Sequence, residues 1–329
     1  MKIFSQIIYE LGRIRRRFSY YLESTYGYLM ACIVARANRW NLTKARLAHN
    51  DPLLLPQDIS SRLNYYVKRE SCFLLSSPKD INHLLKERPT RYVLDFVYHL
   101  RRYPRAKVSY VFGDVTEVPA EPSFVKSRPI EGLNENAILF KLDKYRHFFF
   151  ANDNRQFSQK ISKLVWRGRI HHGLEREKRL ALLRRFFNNP RFDVAHVNRD
   201  DLLPMFKGRF LSVPRQLEFK YVMSLEGIDV ATNLKWIMSS NSLCFSPKLR
   251  YETWFMEGKL VPGVHFVEVR DDFDDLEQKL DFFEANPDEA LKIIKNANAY
   301  VSQFLDKDRE DLLCKLVLER YLDLSNGAS

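Results

Sequence analysis

The sequence predicts an α/β protein of two domains, with a doubly wound parallel sheet in its second half. Three observations lead there. From about residue 160 onward, short apolar runs alternate with amphipathic stretches of helical period, the pattern of βαβ units. The chain has 329 residues, more than one simple core organises. It is 45% hydrophobic and 13% aromatic with only 11 glycines and 14 prolines, the make-up of a packed core and not of a disordered or fibrous chain.

Taken in order, residues 1–70 read as mostly helical. Ile3, Phe4, Ile7, Ile8 and Leu11 recur at helical spacing beside Arg13, Arg15, Arg16 and Arg17. Pro52 and Pro56 interrupt a Leu-rich stretch, after which a helix follows. Ser77-Pro78 with Asp80 reads as a helix start, and RYVLDFVYHLRR (91–102) as a helix closed by Pro104. KVSYVFGD (107–114) alternates and ends in Gly113-Asp114, a strand that delivers an acid to a loop at its C-terminal edge. Residues 115–136, with Pro119, Pro122 and Pro129, read as loop. Strands are expected at AILFKL (137–142) and RHFFFA (146–151). ANDNRQFSQK (151–160) reads as a linker. The domains are therefore set at 1–155 and 156–302, with a C-terminal helix over 303–329 that packs back on the first. In the second half, KLVWRG, FDVAH, YVMSL, SLCFS and VHFVEV are strands. LEREKRLALLRRFF, TNLKWIMSS and three C-terminal stretches are helices.

The formal net charge is +12, and residues 1–50 hold nine Lys/Arg against Glu10 and Glu23 alone. Three readings compete for that basic start: a solvated helix face, a helix lying on an anionic membrane surface, and nucleic-acid binding. The last lacks support, because no RNP, zinc-finger or helix-turn-helix pattern occurs. No run of about 18 apolar residues exists to span a bilayer, and the N-terminus is not a secretory signal. Cys32, Cys72, Cys244 and Cys314 are scattered without a CxxC pair, so neither a zinc site nor a disulfide framework is expected, and a reducing compartment is the default.

Five features bear on chemistry. The strand YVMSL hands over at Glu226-Gly227 to Asp229, Val230, Ala231, Thr232 and Asn233 before a helix begins. Backbone N–H groups and the dipole at such a helix start favour phosphate; ordinary capping by Thr232 or Asn233 is the alternative. No GxGxxG or GxxxxGK[ST] motif is present. In WRGR, Gly168 permits a sharp turn flanked by Arg167 and Arg169, with Arg176 one or two helical turns on, an arrangement suited to bidentate phosphate contacts or simply to a solvated surface turn. Asp114 is either a general base or an Asx-turn residue. The acids of DDFDD (271–275) fall at a helix start and stabilise its dipole in preference to holding a metal. His171-His172 lacks a third ligand, and His265 in its apolar strand is a core histidine. In YETWFMEGKLVP (251–262), Trp254 and Phe255 read as core, and Glu252 either accepts hydrogen bonds from sugar hydroxyls or lies on a helix surface.

The order WRGR, KYVMSLEGIDVATNLKWIMSSNSLCF, YETWFMEGKLVPGVHFVEV, DDFDDLEQKLDFFEANPDEALKIIKNANAYVSQFL resembles glycosyltransferase family 90. That family includes eukaryotic protein O-glucosyltransferases and bacterial lipopolysaccharide core glycosyltransferases. The resemblance covers roughly residues 105–322 and is closest to the bacterial members. It implies a GT-B-like architecture of two Rossmann-like domains, with a helical N-terminal region and C-terminal helices. It further implies an inverting transfer of a hexose from a UDP-sugar, with no permanently bound cofactor and no metal.

By the same resemblance, Asp114 is the general base and Arg167-Gly168 line the donor site. Arg169 takes the next, variable position, Arg176 fits a family arginine with a one-residue shift, and Gly227 to Asn233 form the donor loop around a diphosphate. Eukaryotic members carry an arginine where this chain has Asn233; Lys235 is the candidate replacement. The expected activity is transfer of glucose or galactose from a UDP-hexose to a lipopolysaccharide or lipooligosaccharide inner-core sugar, by an enzyme peripheral on the cytoplasmic face of the inner membrane. Alternatives are a protein or capsular polysaccharide acceptor, or a basic nucleic-acid-binding protein.

Overall fold

The structure, a computed structural model, describes residues 2–39, 55–170, 175–199 and 203–326. Pro52, His171-His172 and the side chains of Ile3, Phe4, Ile7 and Ile8 lie outside the described residues.

The chain forms two compact units. One comprises residues 147–250 and 258–303 with the first 13 residues, the other residues 14–146, 251–257 and 304–329. In chain order the elements up to the first crossing are helices α1 (Lys2–Arg39), α2 (Gln57–Tyr66), α3 (Ile81–Leu84) and α4 (Arg91–Leu100), strands β1 (Tyr110–Val111), β2 (Ser123–Val125), β3 (Ser127–Pro129) and β4 (Ala137–Leu139), and helix α5 (Lys144–His147). There follow β5 (Ile161–Gly168), α6 (Glu175–Phe186), β6 (Phe192–His196), α7 (Val213–Gln216), β7 (Phe219–Met223), α8 (Leu234–Met238) and β8 (Leu243–Pro247). The last are β9 (Tyr251–Thr253), β10 (Val267–Val269), α9 (Leu276–Ala285), α10 (Pro287–Ser302) and α11 (Lys307–Asn326).

Local chemistry sets several boundaries. The Asp80 carboxylate accepts from the His83 N–H and starts α3, and the Thr90 hydroxyl accepts from the Val93 N–H and starts α4. Pro287 opens α10, where its missing N–H costs nothing, and Asp288 and Glu289 follow in the positive first turn.

The unit built on residues 147–250 holds a five-stranded, all-parallel sheet in the order β10-β8-β7-β5-β6. Leu164, Trp166, Tyr221, Met223 and Phe245 from the strands pack with Phe283, Ile293 and Ile294 from α9 and α10 in one apolar core.

The other unit holds a smaller parallel sheet, β1-β2-β4, and an antiparallel ribbon of β3 with β9. Two expectations fail here. Residues 115–136 are not loop, since they contain β2 and β3; each strand is three residues long, and Pro122 and Pro129 fall at strand ends, where a missing donor is tolerated. RHFFFA is not a strand: Asp143 takes a left-handed φ of 50°, starts the short α5, and the three phenylalanines after it are irregular and half-buried.

The same unit is centred on Trp254, which is fully buried, stacks on Tyr66 with ring centroids 3.8 Å apart, and donates from Nε1 to Glu310 at 2.7 Å. Glu310 in turn meets Arg62 at 2.6 Å and Lys141 at 2.9 Å, so α2, α11 and the segment after β9 share one buried carboxylate. Removing one member of such a group leaves the others charged in a dry interior. Glu310→Ala is expected to destabilise the protein by about 3–5 kcal/mol, measured as a shift in urea midpoint; a change within about 0.5 kcal/mol would mean that the cluster is dispensable.

Candidate active site

Chain order in the five-stranded sheet reverses beside β5: β6 lies on one side and β7, β8 and β10 follow on the other. The chain passes from β5 to β6 on one side and from β7 to β8 on the other, the reversal of strand order at which open parallel sheets place their ligands. Parallel register, with Val165 beside Val222, brings Gly168-Arg169 and the segment from Ser224 to Gly227 to the same edge.

Gly168 ends β5 outside the left-handed region, so it makes no sharp turn. Its lack of a side chain serves Trp166: a Cβ at position 168 would lie 2.4 Å from the indole. Arg167 is engaged at the sheet. Its guanidinium pairs with the Asp193 carboxylate at 2.6 Å and donates to the carbonyls of Trp166, Asp193 and Arg209, which fastens β5 to β6. Arg169 is exposed. On the first turn of α6, Arg176 has a buried Nε with no hydrogen-bond partner.

One turn on, Arg179 joins the two strand ends. Its guanidinium donates to the Arg169 carbonyl and, at 3.2 Å, to the Glu226 carbonyl, with its carbon 6.0 Å from the Trp166 ring centroid. A Cβ on Gly227 would sit 3.1 Å from Arg179 Nη2, so a glycine there lets the cation close on the turn.

Beyond Gly227, whose N–H donates to the Asp229 carbonyl at 3.0 Å, Asp229, Val230 and Ala231 are buried and Thr232 half-buried. Asn233 does not cap α8: its amide donates back to the Met223 carbonyl at 3.0 Å and accepts from the Ser224 hydroxyl. The helix itself has five residues, so the dipole expected at its start is that of little more than one turn. Lys235 is wholly buried. Arginines of the β5–α6 segment bring cations to this edge, beside Arg250 after β8, whose N–H donates to the Glu226 carboxylate at 2.9 Å.

The acids of residues 271–275 are engaged by neighbours: Asp271 with Arg250 at 2.5 Å, Asp272 with Arg270 at 2.6 Å, Asp274 with Arg185, and Asp275 with Lys279 at 2.7 Å. Among the described residues no three His, Cys, Asp or Glu side chains gather as metal ligands. His265 accepts from the Val261 N–H at 2.9 Å and packs on Tyr300, and burial lowers its pKa.

In the other unit, β1 and β2 run parallel with Val111 beside Val125, so the residues after both strands emerge together. Gly113 takes a φ of 131°, which a side chain would resist, and turns the chain so that Asp114 meets Lys126. The Lys126 Nζ lies 2.5 Å from Asp114 Oδ1 and is 1% exposed, whereas the carboxylate is 28% exposed and reachable from solvent. The Tyr92 hydroxyl is a weaker partner at 3.4 Å. Burial pushes the Asp114 pKa up, but the hydrogen bond and charge of Lys126, the charge of Arg146 and Tyr92 outweigh it, and the net shift is downward. Asp114 is therefore a carboxylate at neutral pH, partly open, with one oxygen held.

Glu252 departs from both expectations. It lies on β9, not on a helix, is 1% exposed, and both oxygens are engaged: Arg128 Nε at 2.7 Å and the Tyr65 hydroxyl. It holds β9 to β3.

The family model for glycosyl transferase family 90 matches residues 141–326, more than half of the chain. The O-glucosyltransferase LpsA of Dichelobacter nodosus is 44% identical over 275 residues, 83% of this chain and 85% of that protein. The chain belongs to glycosyl transferase family 90. Protein O-glucosyltransferase 2 of Danio rerio is 27% identical over 51% of this chain and 34% of its own length. A solved C-terminal domain of a glycosyl transferase group 1 family protein (LpcC) from Francisella tularensis covers 47% of this chain and 94% of its own, at 15% identity and a TM-score of 0.33. This family 90 member is a glycosyltransferase, moving a sugar from a donor to an acceptor.

Two residues of the family 90 chain escaped the sequence reading. Lys126 was hidden because it lies between two three-residue strands in a proline-rich stretch. Arg179 follows Arg176 at i+3, on the same helical face, and that spacing was the available signal. Lys126→Met keeps Asp114 half-buried but removes its main counter-charge. With Asp114 as the base that the sequence resemblance implies, the carboxylate is the active form, so the acidic limb of kcat/KM is expected to move toward neutral pH. Activity at neutral pH should fall by up to about a hundredfold as the carboxylate loses its anchor. An unmoved acidic limb would show that another group sets it.

Proposed function

We propose that this enzyme transfers glucose, with inversion, from UDP-glucose to a sugar of the lipopolysaccharide or lipooligosaccharide inner core, and that Asp114 is the general base. The observation that carries the reading is the likeness to an O-glucosyltransferase over most of both chains. Glucose is preferred to galactose because three curated relatives of this chain, one bacterial and two animal, are named O-glucosyltransferases. A core sugar as acceptor, UDP as carrier and a GT-B-like pair of Rossmann-like halves follow from the sequence resemblance; parallel sheets in both units support the last.

In this reading the acceptor hydroxyl attacks the anomeric carbon from the face opposite UDP. Its proton passes to the Asp114 carboxylate as the bond to the phosphate oxygen breaks, and UDP departs with the electron pair. Lys126 holds one Asp114 oxygen and leaves the other for the hydroxyl. The charge arriving on UDP is met by Arg169 and Arg176, with Arg179 holding the Gly227 turn, in place of a metal ion. The enzyme works at the cytoplasmic face of the inner membrane, where its lipid-linked acceptor is made.

Thermal shift and turnover together test this. UDP, and not GDP, CMP or ADP, should raise the melting temperature of the wild type and of Asp114→Asn alike. Asp114→Asn should lose transfer by at least about a hundredfold, Arg179→Met should lose the UDP response, and the wild type should turn over in EDTA. A missing response to UDP would sink the donor assignment; an active Asp114→Asn, the base; activity lost in EDTA and restored by manganese, the metal-free reaction.

A further inference from the structure

Helix α1 packs by one face only. Tyr20, Ser24, Gly27, Ala31 and Ala35 are buried at helical spacing, and the approach is close: a Cβ on Gly27 would lie 2.7 Å from the Tyr98 ring of α4. On the opposite side Ile14, Phe18, Leu22, Tyr26, Leu29 and Ile33 recur at the same spacing and are each between 58% and 70% exposed. At 1.5 Å per residue this stripe runs for about 29 Å. A solvated helix face, the bland reading of the basic start, does not carry six large apolar side chains in line.

Charge identifies what covers it. Arg15, Arg16 and Arg17 sit exposed at one end of the stripe, and Arg17 lies 5.9 Å from the Tyr21 ring. The only acids of α1 are Glu10 and Glu23, and Glu23 already faces Lys144 at 3.9 Å and Lys307 at 3.4 Å. A second copy of this chain would bring no acid to these arginines, because a two-fold contact joins the same patch on both partners and the acids of that patch already face cations, Glu10 with Arg13 at 2.8 Å and Glu23 with Lys144 and Lys307. An anionic lipid surface satisfies both halves of the pattern: apolar side chains enter the headgroup boundary, arginines meet the phosphates, and Tyr26 sits at the level aromatic residues favour. Among the described residues no helix is long and apolar enough to cross a membrane, so this helix would lie on the surface.

We propose that the Ile14–Ile33 face of α1 is the lipid-docking surface of the enzyme, lying in the plane of an anionic bilayer. The proposal deepens the reading of a membrane-borne acceptor and rests on it for its purpose, though not for its test.

The test is flotation of the full chain with vesicles of phosphatidylglycerol and phosphatidylcholine in equal parts, against phosphatidylcholine alone. Wild type should float with the anionic vesicles and lose most of that binding at high salt. Phe18→Glu/Leu22→Glu and Arg15→Gln/Arg16→Gln/Arg17→Gln should each reduce partitioning about tenfold or more. Both variants should keep the wild-type melting temperature, since the residues are exposed. Wild type that stays in solution at low salt, or a Phe18→Glu/Leu22→Glu variant that floats like wild type, would overturn the proposal. So would light scattering that shows a wild-type dimer split by Phe18→Glu/Leu22→Glu, which gives the face to a second copy. Turnover of a delipidated core oligosaccharide separates the two readings: if it fails while flotation depends on α1, the acceptor assignment falls and the docking surface stands.

Discussion

Parallel strand pairing is the constraint on which both candidate centres depend. A parallel pair sends both strands out at the same edge, so residues distant in sequence meet only because their strands end level. Val165 beside Val222 brings WRGR to the Glu226-Gly227 turn, and Val111 beside Val125 brings Asp114 to Lys126. Antiparallel pairing would place the residues after one strand beside those before the other. The reversal of order beside β5 falls at the first of these edges, the position at which open parallel sheets bind their ligands.

Each centre is stiffened by a buried cation whose partners are specified. Arg179 gives two of its donors to backbone carbonyls at the ends of neighbouring strands. Lys126, almost wholly inaccessible, has Asp114 at 2.5 Å. Burying a cation is expensive unless partners are in place, so both side chains have strong reasons to keep one geometry. The same economy describes Arg167 and Glu252: each is a charge met by side chains of its own unit, Asp193 in one case and Arg128 with Tyr65 in the other.

What the sequence made legible follows from this. The strand–helix alternation after residue 160 reads correctly because five buried parallel strands need continuous apolar runs and their connections need amphipathic helices. The first sheet was harder: its strands have two or three residues, too few for a period to appear, and prolines at their ends mimic loop. Residue type located the Gly227 turn and Asp114, but not what the side chains do. Gly168 answers to an indole and not to a turn, and Asn233 reaches back to Met223 instead of forward to its helix. Such roles are set by neighbours from other elements, which spacing along one strand or helix does not reveal.

The state of Asp114 also bears on the proposed reaction. A carboxylate whose pKa is pulled down by Lys126 is a weak acceptor for the proton of an unreacted alcohol. It becomes effective once the alcohol oxygen has begun to bond to an electron-poor carbon and its proton has grown acidic. On the proposed mechanism, proton transfer therefore comes late, after the bond to UDP is well broken. The difficult part of the barrier is then the separation of charge at the leaving group, where preorganised cations act most strongly. That places the heavier electrostatic demand on the arginines at the β5–β7 edge, and it accounts for a base that is held ionised and oriented without being made strong.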